Sequence, residues 1–145
     1  MIFYVRALPN RILSPNGGTR SEKRNGQDLI DAMYALSDAA YHALRESQEP
    51  PYETFNRAVI ALTFCIKRGA QRCPRCRGVC QCYRPRTPSN FGGDIATPIR
   101  DALVKHDVIA GKTWQHVAEV RLRIRDAEET ANEGILVEVS EAEAD

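Results

Sequence analysis

The sequence predicts a single α+β domain, with a mixed β-sheet packed by two helices and a small metal-stapled loop inserted between its halves. Three observations lead there. Four short segments have the apolar patterning of strands, and two longer ones repeat at helical spacing. A cysteine-rich stretch with neither period separates the halves. At 145 residues, 43% of them hydrophobic, the chain has the length and composition of one domain with a substantial core.

Ile2 to Leu8 reads as the first strand. Pro9 to Asn25, dense in Pro, Gly, Asn and Arg, reads as a surface loop to which Arg11, Arg20, Lys23 and Arg24 add positive charge. From Asp28 to about Glu46, Leu29, Met33, Leu36, Ala40 and Leu44 recur at helical spacing. Asn25 and Asp28 can accept hydrogen bonds from the free amides of its first turn, and Glu49-Pro50-Pro51 stops it. Val59 to Ile66 is apolar on both faces, as a central strand is, and Cys65 within it reads as a core residue.

A second helix is expected from Thr97 as its cap, with Pro98 at the first helical position and Ile99, Ala102 and Leu103 toward the core. Trp114 leads into the next strand and reads as a packing residue. That strand, His116 to Ile124, alternates, with Ala118, Val120, Leu122 and Ile124 on one side and Val117, Glu119, Arg121 and Arg123 on the other. Ile135 to Val139 reads as a last, edge-like strand. The domain is expected to span residues 1–139 with an insertion at 69–93, and residues 140–145 to form a frayed acidic tail.

No stretch approaches the roughly 20 apolar residues of a membrane helix. The opening residues show neither a basic leader nor a small-residue cleavage site, so a cytoplasmic protein is expected, with no membrane partner.

The net charge of +1 hides a strong asymmetry. Seven basic residues and no acidic one lie between Lys67 and Arg86: Lys67, Arg68, Arg72, Arg75, Arg77, Arg84 and Arg86. After Arg125, eight acids follow without a base. A local cluster of cations attracts phosphates by releasing their counterions, whatever a remote tail carries. The arginines can bind phosphate bidentately, and Tyr83 and Phe91, which flank the run, can stack on bases or pack on the loop.

The same segment holds Cys73, Cys76, Cys80 and Cys82 in the pattern C-x2-C-x3-C-x-C, with Gly78 allowing a turn between the pairs. Four thiolates at this spacing suit a closed tetrahedral site, and structural Zn²⁺ is the leading reading. The spacing is tighter than in most zinc ribbons. Disulfides or free thiols, and an iron–sulfur cluster, are the alternatives.

Three segments in register resemble the RusA-like family of phage and bacterial Holliday-junction resolvases. Leu8-Pro9-Asn10-Arg11-Ile12-Leu13-Ser14-Pro15-Asn16 is similar to the family's L-P-x-x-x-L-S-P-N. Gly93 to Leu103 is similar to D-N-x-x-K-x-x-x-D-A-L, and Val108 to Val117 to V-x-x-D-D-S-W-x-H-V. The resemblance implies a RusA-like fold, a homodimer, a role in DNA recombination and Mg²⁺-dependent cutting of four-way DNA junctions by a cluster of carboxylates.

The chain departs from that pattern at the metal site. With Asp101-Ala102-Leu103 as anchor, Phe91 and Gly93 stand where the family has Asp, Asp94 where it has Asn, and Thr97 where it has Lys. The later acidic pair is Gly111 and Lys112. The leading expectation is therefore a nucleic-acid-binding protein with structural zinc and no nuclease activity. One alternative is a divergent Mg²⁺-dependent endonuclease using Asp94, Asp101 or Asp107; the other is a zinc-stapled protein-interaction module. Asp101 and His116 otherwise read as local hydrogen-bonding residues.

Overall fold

The computed structural model describes residues 1–8, 26–66, 95–127 and 132–143. In chain order its elements are β1 (Ile2–Val5), α1 (Gly26–Ser47), β2 (Ala58–Ile66), α2 (Ala96–Lys105), β3 (Val117–Asp126) and β4 (Gly134–Glu141). The four strands form one mixed sheet in the order β1-β4-β2-β3. β4 runs antiparallel to both of its neighbours, whereas β2 and β3 are parallel. A parallel pair needs a crossover, and α2 lies in it. The expected mixed sheet with two helices is thus what forms.

One face of the sheet makes the core. Phe3 and Val5 of β1, Ile135, Val137 and Val139 of β4, and Ala58, Ile60, Leu62 and Phe64 of β2 are all buried there. Against them α1 packs Ala32, Leu36, Ala40, Ala43 and Leu44, and α2 packs Ile99, Ala102 and Leu103. The turn after α2 locks onto the segment before β2, where Phe55 donates to Val108 O at 2.8 Å and accepts from the Ala110 amide at 3.1 Å. Asp107 makes that turn with φ 61°, a left-handed conformation that Asp tolerates better than most residues.

Several expectations are corrected. β1 ends at Val5 rather than Leu8. The second helix begins at Ala96 with Ile95 at its cap position and no side-chain cap, so Thr97 does not cap it and Pro98 is its third residue. Proline is accommodated there because the amides of a first helical turn lack partners in any case. The last strand is not an edge, since β4 lies between β1 and β2. It also extends through Ser140 and Glu141, which were expected to fray, and beyond it the Ala142 amide donates to Arg57 O at 2.7 Å.

Trp114 is not a packing residue, for its side chain is 78% exposed. The amides of His116 and Val117 both turn back to Thr113 O at 2.9 Å, and this tight turn sits before β3 instead of under it. Cys65 is buried, as expected.

Gly134 faces Cys65 across the β2–β4 ladder and is a point of close approach. A Cβ there would sit 2.9 Å from two ring carbons of Tyr4 and nearer still to the Val5 carbonyl. Gly134→Ala should therefore destabilise the protein by about 1–3 kcal/mol in urea unfolding. Trp114→Ala should change stability by no more than about 0.5 kcal/mol, because little of that indole is removed from water.

Candidate nucleic-acid interface

Because side chains alternate along a strand, fixing one face of β2 on the helices fixes its other face away from them. That second face presents Val59, Ala61, Thr63 and Cys65, of which Val59 and Ala61 are half-buried and Thr63 and Cys65 are buried. The parallel register sets Glu119 beside Val59, Arg121 beside Ala61, Arg123 beside Thr63 and Arg125 beside Cys65. On the other flank, β4 sets Ser140, Glu138, Leu136 and Gly134 against the same four residues. The result is a floor of small, uncharged side chains bordered by a row of arginines at every second residue, about 6.6 Å apart along the strand.

The three arginines have different partners. Arg121 forks onto Glu119, with Nε 2.8 Å from Oε1 and Nη2 3.1 Å from Oε2. This pair lowers the Glu119 carboxyl pKa and raises that of the guanidinium. The Arg123 side chain forms no hydrogen bond or ion pair with another described residue. Arg125 directs Nη2 toward the Cys65 sulfur at 3.5 Å. Tyr4 closes this end of the face, its hydroxyl donating to Asn132 O. Burial, and then the neighbouring Cys65 thiol, raise its pKa.

The face is polarised along its length. At the Glu119 end a groove of about 460 Å³ is bordered by Arg57, Glu119, Arg121, Glu141 and Glu143, so cations there meet carboxylates. At the Arg125 end β2 finishes at Ile66. The next residue in the chain is Lys67, the first of the basic segment.

The residues singled out from the sequence divide into two sets. Cys73, Cys76, Cys80 and Cys82, together with Lys67, Arg68, Arg72, Arg75, Arg77, Arg84 and Arg86, lie outside the described residues, as does Asp94. So do Arg11, Arg20, Lys23, Arg24, Tyr83 and Phe91. Of the fallback carboxylates, Asp101 pairs with Arg100 at 3.4 Å, and Asp107 is exposed in its turn, where its carbonyl accepts from Thr54. Among the described residues, no three His, Cys, Asp or Glu side chains are placed to hold a metal ion. No described helix is long and apolar enough to cross a membrane.

Gly111 and His116 are linked by packing. A Cβ at Gly111 would lie 2.5 Å from Cδ2 of the His116 ring. That ring is held by its own Nδ1, which donates to Asn56 O at 2.8 Å. The local hydrogen-bonding role expected of His116 is thus observed.

The sequence pattern alone assigned no role to Arg121, Arg123 or Arg125. The signal was present, since arginines two apart in a strand must share a face.

No protein-family model matches the chain, and neither a curated protein nor a solved structure shows significant similarity to it.

Away from this face, the His106 ring stacks on Tyr41 with centroids 3.8 Å apart and planes 14° apart. Burial, then Lys105, holds the His106 pKa below its ordinary 6.5, with Asp107 opposing. Just below that pH the unfolded chain binds more protons at His106 than the folded one does, so this contribution to stability is lost as pH falls. His106→Phe keeps a ring in the stack and removes the proton. The drop in melting temperature between about pH 7.5 and about pH 5.5 should be smaller in this variant than in the parent.

Proposed function

We propose that the protein binds nucleic acid, DNA foremost, on a RusA-like fold stapled by structural zinc, and that it does not cut its ligand. The observation that carries this reading is the row of Arg121, Arg123 and Arg125 on the helix-free face of the sheet. A strand that repeats a guanidinium at every second residue offers evenly spaced charge to an evenly charged polymer. The row runs toward the point where the chain enters the seven-cation segment beginning at Lys67. Both features favour a polyanion, and branched DNA is the ligand that the motif resemblance suggests.

The cysteine pattern supports a closed zinc site. Cys73, Cys76, Cys80 and Cys82 would supply four thiolates, leaving no position for a reactive water. Zinc would then brace the basic segment and take no part in chemistry.

The absence of cutting is supported by what stands at the carboxylate positions. Magnesium requires oxygen ligands in near-octahedral array. Gly111 offers none, Lys112 would repel the ion, and the space a side chain at position 111 would need is taken by the His116 ring.

Gel shifts with a four-way junction and a duplex, with and without Mg²⁺, test the reading. Binding without products is expected, and cleavage products with Mg²⁺ would overturn the non-catalytic half of it. Replacing Arg121, Arg123 and Arg125 together by Ala should weaken binding and flatten its salt dependence, by about 0.9 in log–log slope for each phosphate that is no longer neutralised. Unchanged affinity and slope would remove the sheet face as the interface. Metal analysis of the purified chain should find about one zinc per chain, and Cys76→Ser should lose it.

A further inference from the structure

The turn before β3 holds the chain's one tryptophan in water on a backbone that is fixed on both sides. Upstream of it, the Ala110 amide donates to Phe55 O at 3.1 Å. Downstream, His116 O accepts from the Ala58 amide at 2.8 Å, and the His116 ring is tied to Asn56 O at 2.8 Å. Between these ties the amides of His116 and Val117 close the turn onto Thr113 O. Trp114 is nonetheless 78% exposed, more than any other large apolar side chain among the described residues. A lone apolar side chain at a surface is ordinary. An indole held out by a backbone tied on both sides is more than that. It is a preformed flat platform, and little freedom is lost when a second ring settles on it.

We propose that Trp114 stacks on an unpaired base, so that the protein prefers single-stranded or locally opened nucleic acid to closed duplex. The assignment rests on the nucleic-acid reading above and adds to it the state of the strand that is bound. Every base has a π-face, which makes stacking tolerant of sequence. Inside a duplex both faces are already covered by neighbouring bases, and only a base out of the stack can take the indole.

The surroundings suit such a ligand. Gln115, beside the indole in sequence, is exposed and carries both a donor and an acceptor for a base edge. β3 begins three residues after Trp114, at Val117. From there to Arg123 the strand covers about 20 Å, the length of about six stacked nucleotides. The carboxylates of Glu119, Glu141 and Glu143 gather toward the Trp114 end and disfavour phosphates there. A base carries no charge for them to repel. The two ends of β3 thus divide the work, with Arg123 and Arg125 toward the sugar–phosphate backbone and Trp114 toward a base.

Fluorescence of this single tryptophan reports the contact directly. Titration with oligothymidylate of about 12 nucleotides should quench it strongly, and a duplex of the same length should bind more weakly and leave it nearly unchanged. Trp114→Ala should stay folded by circular dichroism and bind the oligothymidylate about five- to a hundredfold more weakly, with duplex affinity unchanged. Its log–log salt slope should remain that of the parent, because stacking releases no counterions. Trp114→Phe, which keeps a ring, should recover part of the loss. Oligothymidylate bound without quenching, or bound equally well by Trp114→Ala, would overturn the stacking and leave the nucleic-acid reading standing. A duplex that quenches as strongly as the single strand would overturn the preference. Gel shifts that show no binding of either would remove the underlying reading, and the stacking with it.

Discussion

The burial of one face of β2 against the helices is the constraint on which the rest of the structure depends. Ala58, Ile60, Leu62 and Phe64 have at most 1% exposure, and they fix the strand against both helices and both neighbours. Alternation then leaves no freedom on the other side. The residues facing away must be Val59, Ala61, Thr63 and Cys65, and the parallel register carries Arg121, Arg123 and Arg125 to the same side. A slip of one residue in β3 would set the three guanidinium groups beside Ile60, Leu62 and Phe64 and carry Val120, Leu122 and Ile124 to the other face. The apolar pattern of β3 therefore agrees with the register that β2 sets.

The helices cover three strands well and the fourth poorly. This follows from where the burial lies: β1, β4 and β2 all contribute to the core, whereas β3 contributes only Val117, at its start and only partly buried. The bulge at Ala118 marks the change, for Val117 packs inward and the regular ladder resumes at Glu119. Natural sheets shield a long edge with charge, with bulges or with a partner strand. Here the bulge and the arginines shield one end and one face, while Val120, Leu122 and Ile124 on the apolar flank stay partly exposed.

Much of the fold was legible because periodicity reports it directly. β2 read as central since both of its faces are apolar, and it is central. β4 did not, although it is central as well. Leu136, Glu138 and Ser140 share its helix-free face, so alternation there looks like that of an edge strand. Alternation reports which side chains share a face and not what lies against that face. For the same reason the pattern of Val120, Leu122 and Ile124 could not reveal their exposure, and Trp114 was read as packing when a turn places it in water. At the site, the arginine row was written in the spacing of β3, but the denser charge between Lys67 and Arg86 drew the functional reading. The contact between Gly111 and His116 spans five positions through a turn and has no periodic signature.

That contact bears on how a catalytic centre of the RusA-like kind would be absent from this chain. A missing carboxylate could in principle be a single change that left the surrounding cavity intact, and then a carboxylate put back would find its place. Position 111 is different, because the His116 ring occupies the space of its Cβ and is tethered by Nδ1 to Asn56. The amide that follows Asn56 in the chain by two residues, that of Ala58, donates to the His116 carbonyl at 2.8 Å, so backbone and ring are fixed together where β2 and β3 begin. Moving the imidazole to admit an Asp would break its hydrogen bond to Asn56, beside the start of the parallel pair. On the proposed reading, then, the packing that excludes a carboxylate from this position adjoins the segment that aligns the cationic face.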